Sequence, residues 1–288
     1  MKGLSAHTEA IFEKVSKMDS IKDYCLIGGT ALSLQIDKRL SEDLDFCKWS
    51  TAPGKDKPTV NWKNIEDELN EKVGKVEKVD VLGENQTNFI VEGVNLSFYA
   101  NQHMKSPIKS TKTILNNIIV PDLETIGAMK LEVMARRSKF RDYYDIYSIL
   151  KEGEKLTTLI DRAVSYSGGR FKSKNIASYV SNPSNFGNDP EFKLLEPKYK
   201  IDAENIANHV REKLKEENPF QLSKAIYNND KKRVKDILSR GVGIIGQKHI
   251  DLISDMKKDG MELDSAIEQN IKQTFKEEKK NSKGFKIK

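Results

Sequence analysis

The sequence predicts an α+β fold: a small mixed β-sheet flanked by helices, then a helical subdomain, then a small helical appendage at the C-terminus. Three observations carry this. The apolar run Tyr24–Ile27 stops at Gly28-Gly29, and a short amphipathic segment and the alternating Asp43-Leu44-Asp45-Phe46 follow; that is the order strand, turn, helix, strand. Residues 76–82, 87–93 and 95–100 also have strand character. From Pro121 to Glu217 helical spacing prevails. The expected domains are residues 1–105, 106–217 and 218–288.

Taken in order, residues 4–18 place Ile11, Phe12, Val15 and Met18 at helical spacing. Residues 24–47 hold the strand–turn–helix–strand unit. Residues 50–59 read as a Pro/Gly loop, and a helix is expected from Trp62 to Val73. Gly93 and Asn95 mark a tight connection between the last two strands of the sheet. Residues 112–118 form another apolar segment. Pro121-Asp122 starts a long helix, with Asp122 suited to the cap. Residues 141–151 form the next helix, which Gly153 ends. Residues 155–165, 173–180 and 202–215 read as helices, and 181–190 as a loop. Asn218-Pro219 is the expected boundary. Beyond it, Leu222–Gly241 resembles one helix pair of an ankyrin-like repeat; a lone repeat cannot bury its own face, so a small helical domain is expected. Phe275–Lys288 is Lys-rich and expected to be loose.

Composition narrows the class. The 288 residues suffice for two domains and a sizeable core. Charged residues make up 32% and the mean hydropathy is −0.61. No apolar run is long enough to cross a membrane, and the N-terminal segment lacks the apolar core of a signal peptide, so a cytoplasmic protein is expected. Cys25 and Cys47 both fall in expected core strands and read as buried free thiols. They and four scattered histidines offer no zinc spacing. Residues 1–217 hold 33 basic and 33 acidic side chains, while 218–288 hold 16 and 10. The net charge of +6 therefore resides wholly in the C-terminal quarter. Such an excess attracts a phosphate backbone or merely solubilises a tail.

The chemistry gathers around the double glycine. Gly28 and Gly29 permit positive φ and close approach of a ligand to the backbone, and amides at a helix N-terminus attract phosphate. Asp43 and Asp45, two residues apart on a strand, point to one face. Carboxylates so paired are costly without a cation between them. Magnesium favours carboxylate oxygens together with substrate phosphates, and two such ions clamp the oxygens of an in-line displacement. The layout suits a nucleoside triphosphate (NTP) with two Mg2+ ions.

These residues resemble the first motif of the DNA polymerase β-like nucleotidyltransferases. Gly-Gly-Thr-Ala-Leu followed by Arg39-x-Ser41-x-Asp43-Leu44-Asp45-Phe46 is similar to the AbiEii/AbiGii toxin branch in particular. Ala128-x-Lys130 and Arg141-Asp142-x-x-Asp145-Ile146 match a second motif in the expected order. The resemblance implies a nucleotidyltransferase fold and transfer of NMP from NTP to an acceptor hydroxyl, with release of pyrophosphate. It implies Asp43 and Asp45 as catalytic metal ligands, and Lys130, Asp142 and Asp145 as catalytic residues that complete the site. Gly28, Gly29, Thr30, Arg39, Ser41 and Lys130 become the nucleotide-binding set. Thr30 either adds a hydroxyl to the phosphate or caps its helix, and Arg39 and Ser41 either touch phosphate or fix the loop. Arg141 is expected to pair with Asp142 or Asp145. As partners the resemblance implies RNA or tRNA as acceptor and a cognate antitoxin.

One departure stands out. The superfamily has a third carboxylate on a later strand, and Ser97 occupies that position here. A serine is no general base near neutral pH without help; Asp80 and Glu92 are the substitute candidates. Either the third acid comes from elsewhere, or two suffice, or the chain is a catalytically degenerate nucleotide- or RNA-binding module; a transferase acting on a protein hydroxyl is a separate alternative for the acceptor.

Overall fold

The computed structural model describes residues 1–50, 57–134, 136–187, 189–241 and 243–284. Most of the expected Pro/Gly loop, at 51–56, lies outside the described residues, as do 285–288 of the expected loose tail. Two compact units form: unit 1 comprises Met1–Glu154 and Phe186–Ile201, unit 2 Lys155–Asn185 and Asp202–Lys288. This division does not follow the boundaries at 105/106 and 217/218. Residues 186–201 return to unit 1, where Phe186 stacks on Tyr143 at 3.7 Å and Phe192 packs on Phe140 and Tyr144.

Unit 1 opens with helix α1 (Ala6–Ser16), strand β1 (Cys25–Ile27), helix α2 (Gly28–Ile36) and strand β2 (Leu44–Ser50). Helix α3 (Trp62–Lys72) and strands β3 (Val76–Val81), β4 (Gln86–Val91) and β5 (Val94–Lys105) follow. The five strands form one sheet in the order β1-β2-β5-β4-β3. β2 and β5 are parallel and the other pairs antiparallel, so the sheet is mixed, as expected. Alternation sorts its two faces. Leu44, Phe46, Phe89, Leu96 and Phe98 are all but fully buried. Phe98 lies at the centre, stacked on Phe46 at 5.1 Å with Phe89 and Tyr24 edge-on. Each such side chain contributes about 1.5–3 kcal/mol by leaving water. On the alternate positions, Asp45, Ser97, Asn88 and Asp80 stand in one register row across the sheet.

The apolar segment at 112–118 spans a hairpin of β6 (Thr111–Leu115) and β7 (Ile118–Pro121), turned at Asn116, whose φ is +46°. Helix α4 (Leu123–Met134) follows, capped as expected: Thr125 N donates to Asp122 Oδ1 at 2.7 Å. Helix α5 (Phe140–Lys151) ends before Gly153, whose φ of +101° is open to glycine.

Unit 2 is helical: α6 (Leu156–Tyr166), α7 (Ser173–Val180), α8 (Ala203–Tyr227), α9 (Lys231–Leu238), α10 (Gln247–Lys258) and α11 (Ser265–Gly284). α8 runs straight through Asn218-Pro219, where a boundary was expected. Proline removes one helical hydrogen bond there, and the burial of Leu222, Ala225 and Ile226 with Ile253, Ile267 and Ile271 outweighs that loss. The ankyrin-like pair is thus the end of α8 with α9, and α10 and α11 complete its core. Much of the expected loose tail belongs to α11. Glu217 caps α6, accepting from Leu156 N and Thr157 N at 3.2 and 2.8 Å.

Candidate active site

The β1–α2 turn brings the double glycine against the aspartates. Ile27 pairs in register with Asp45, so Gly28 emerges beside that carboxylate. Gly28 has φ +74°, and a Cβ there would lie 2.7 Å from Asp45 Oδ2; both facts require glycine. Gly29 has ordinary helical backbone. Its need is steric, since a Cβ would meet Arg39 Nη2 at 2.6 Å and Ser41 Oγ at 3.1 Å. No side chain caps α2, so its first amides present partial positive charge beside the carboxylates.

Asp43 is exposed, Asp45 is half-buried, and Leu44 and Phe46 between and beyond them are buried. Among the described residues neither aspartate forms an ion pair. Burial, and next the charge of Asp43, push the Asp45 carboxyl up to about 6, against the pull of Lys130, Arg137 and a Ser97 hydrogen bond. Among the described residues no group of three or more His, Cys, Asp or Glu side chains would hold a metal by itself. The donor set still fits magnesium, which takes one or two carboxylates and completes its shell from substrate phosphates.

Behind this open pair lies a closed one. Arg39, 5% exposed, grips Asp145 with Nε and Nη2, both at 2.8 Å. Lys130, equally buried, places Nζ 2.8 Å from both Asp142 Oδ1 and Asp145 Oδ2. Burial works against both carboxylates, yet the cations win: Lys130 and Arg137 hold Asp142 down to about 2, and Arg39 and Lys130 hold Asp145 low. The Arg39 guanidinium is thus engaged by Asp145, and the Lys130 ammonium by two carboxylates. Thr30 and Ser41 face inward too; the Thr30 hydroxyl bonds Ser41 Oγ at 2.9 Å and the Asp43 carbonyl, and so holds the loop that presents Asp43.

Arg141 pairs with neither Asp142 nor Asp145. It donates to Asp189 Oδ2 and Oδ1 at 2.7 and 2.8 Å, because the returning segment 186–201 brings that acid to it. The residue that sequence reasoning missed is Arg137. Its Nε donates to Asp142 Oδ2 at 2.9 Å and Nη2 to Oδ1 at 3.1 Å, while its side chain stays 50% exposed. Its charge acts on Asp45. The available signal was its place five residues before Asp142 in a basic run, which reads equally as solvated surface. Neither substitute for a third carboxylate is near. Asp80 lies three strands from Asp45, about 14 Å, and pairs with Lys78 at 2.7 Å; Glu92 lies against Gly74 at the β4–β5 turn.

A family model described as nucleotidyl transferase AbiEii toxin, type IV TA system, matches residues 11–239. The chain belongs to this AbiEii family. This AbiEii-family chain is a nucleotidyltransferase, of the toxin side of a toxin–antitoxin system. It is similar to Uncharacterized protein aq_aa25 of Aquifex aeolicus (strain VF5), 26% identical over 178 residues, which cover 58% of this chain and 80% of that one. A solved structure titled Crystal structure of the Megavirus polyadenylate synthase matches at 18% identity and a TM-score of 0.33, over 50% of this chain and 31% of its own; a likeness that low carries no argument. Among the described residues no helix is long and apolar enough to cross a membrane.

Proposed function

We propose that the protein moves a nucleoside monophosphate from an NTP to a hydroxyl of an RNA, tRNA included, with Mg2+ at Asp43 and Asp45. The single observation behind this is the contrast at the site. Two carboxylates that form no ion pair among the described residues stand beside the uncapped N-terminus of α2, next to Arg39, Lys130, Asp142 and Asp145, whose charges cancel. An outside cation is what the open pair lacks. Magnesium bound there would neutralise triphosphate charge and orient the reacting groups.

The chain's own groups divide the remaining work. The amides at Gly28 and Gly29 receive phosphate oxygens. Arg137, the half-exposed member of the cluster, keeps its Nε and Nη2 on Asp142 and meets the triphosphate with Nη1. Arg39, Lys130, Asp142 and Asp145 hold Arg137 and the Asp43 loop in place rather than touching the nucleotide. The acceptor oxygen bonds to the α-phosphorus as its proton passes to water, the bond from that phosphorus to the bridging oxygen breaks, and pyrophosphate leaves with the bond's electron pair. Ser97, donating to Asp45, positions that carboxylate and takes no proton. Cytoplasmic action and a cognate antitoxin go with this reading.

The test is transfer of label from each α-labelled NTP, with magnesium, into total bacterial RNA and, separately, total protein. Label in a discrete RNA band, absent with Asp43→Ala/Asp45→Ala, is expected. Label in protein alone would replace the acceptor, and no label with NTP binding intact would leave a binding module.

A further inference from the structure

Unit 2 carries a surface that nucleotide chemistry leaves unused. Phe220 and Tyr227 are 62% and 59% exposed, and they are the only exposed aromatic side chains among the described residues. Both lie on α8, seven residues apart. Two helical turns set them on one face about 10 Å from each other. Lys224 lies between them on the same face and is exposed. Lys155 places Nζ 5.8 Å from the centre of the Phe220 ring, within reach of a cation–π contact. Among the described residues neither lysine has a carboxylate partner. One turn before Phe220 the stripe meets Glu216, which Lys213 neutralises at 3.1 Å.

Charge points the same way. Unit 2 holds 24 Lys and Arg against 16 Asp and Glu, a net of +8, and unit 1 has a net of −2. Exposed aromatic faces interleaved with unpaired lysines are the parts of a single-strand platform: rings stack on bases of any identity, and cations follow the phosphates. A second copy of the chain suits the face poorly, because it would set lysines against lysines. A purely apolar partner would leave those lysines desolvated and unpaired.

We infer that the Phe220–Lys224–Tyr227 stripe of α8, with Lys155, binds a single-stranded segment of RNA by stacking and phosphate contact. As the grip on an acceptor this rests on the RNA-transfer reading above; as a binding surface it stands apart from the reaction. Binding is to be measured with the full chain by anisotropy of a labelled, unstructured 15-nucleotide RNA, without NTP or magnesium, over a salt series. Phe220→Ala/Tyr227→Ala is expected to weaken binding roughly tenfold for each ring lost, with the salt slope retained. Lys155→Ala/Lys224→Ala should reduce that slope by about 1.4. Phe220→Trp/Tyr227→Trp keeps two stacking faces and should keep the affinity.

Unchanged affinity in the double alanine variant, with native helix content, overturns the inference. So does a loss of self-association in sedimentation with RNA affinity intact, which would make the face an interface between copies. Stripe-dependent binding without any label transfer would sink the transfer reading alone; transfer by a chain whose RNA affinity ignores the stripe would sink this one alone.

Discussion

Two pairs of aspartates lie in one unit and behave as opposites. Asp43 and Asp45 stand at the start of β2 without an ion pair among the described residues, and Asp45 is pushed up to about 6. Asp142 and Asp145 stand on α5, wholly buried, and are held low by Arg39, Lys130 and Arg137. Residue type and near spacing do not tell them apart. The supply of cations does. A buried carboxylate with its cations built in is scaffold, and removing one partner of such a set strands the others. A carboxylate pair without cations is destabilising until a ligand brings them, which is what a metal–triphosphate site requires.

The comparison predicts opposite costs. The largest effect is expected from Asp45→Asn, which should cut transfer by at least about 1,000-fold. In the metal-free protein the same change should raise stability by on the order of 2 kcal/mol at pH 7. Rates at saturating NTP, set beside urea denaturation, measure both, and a parallel loss of the two would dissolve the distinction. Asp145→Asn is expected to do the reverse first. It leaves Arg39 and Lys130 buried with too little negative charge and should cost about 3–5 kcal/mol of folding stability, visible as a shifted denaturation midpoint before any assay of transfer.

Acid sharpens the contrast. The carboxyls of Asp142 and Asp145 lie below their unfolded values, so their contribution is present above about pH 4 and is lost as pH falls, for Asp142 down toward about 2. Asp45 lies above its unfolded value. Between about pH 4 and 6 the folded chain binds the extra proton, and stability from this group declines as pH rises. Denaturation midpoints across that range should show Asp45→Asn lacking the decline; a natural-type profile in this variant would mean that Asp45 is not the raised group.

Arg137→Gln is smaller in stability and specific in kinetics. Lys130 still neutralises Asp142, so less than about 1 kcal/mol should be lost, while the KM for NTP should rise about tenfold. An unchanged KM would leave Arg137 to the scaffold. The smallest effect belongs to Asp80→Asn. This exposed acid should alter stability by no more than about 0.5 kcal/mol and leave transfer alone; a large loss of rate would restore it as the missing third carboxylate.

The sequence by itself determined the local parts. Gly28-Gly29 before an amphipathic segment dictates the turn, because positive φ and close approach need glycine. The two-residue spacing of Asp43 and Asp45 dictates a common face, because a strand alternates. Asp122 and Gly153 set helix ends, and the alternation of Leu44, Phe46, Leu96 and Phe98 sets the buried side of the sheet. Each of these is a short-range rule with a fixed period. The tertiary structure alone decided which charges meet. Arg39 reaches Asp145 across 106 residues, and Arg141 finds Asp189 because residues 186–201 return to unit 1. Arg137, and not Lys130, keeps a half-exposed side chain. No periodicity encodes such pairings. Whether a buried lysine serves a ligand or a neighbour depends on what the fold has already placed within 3 Å of it.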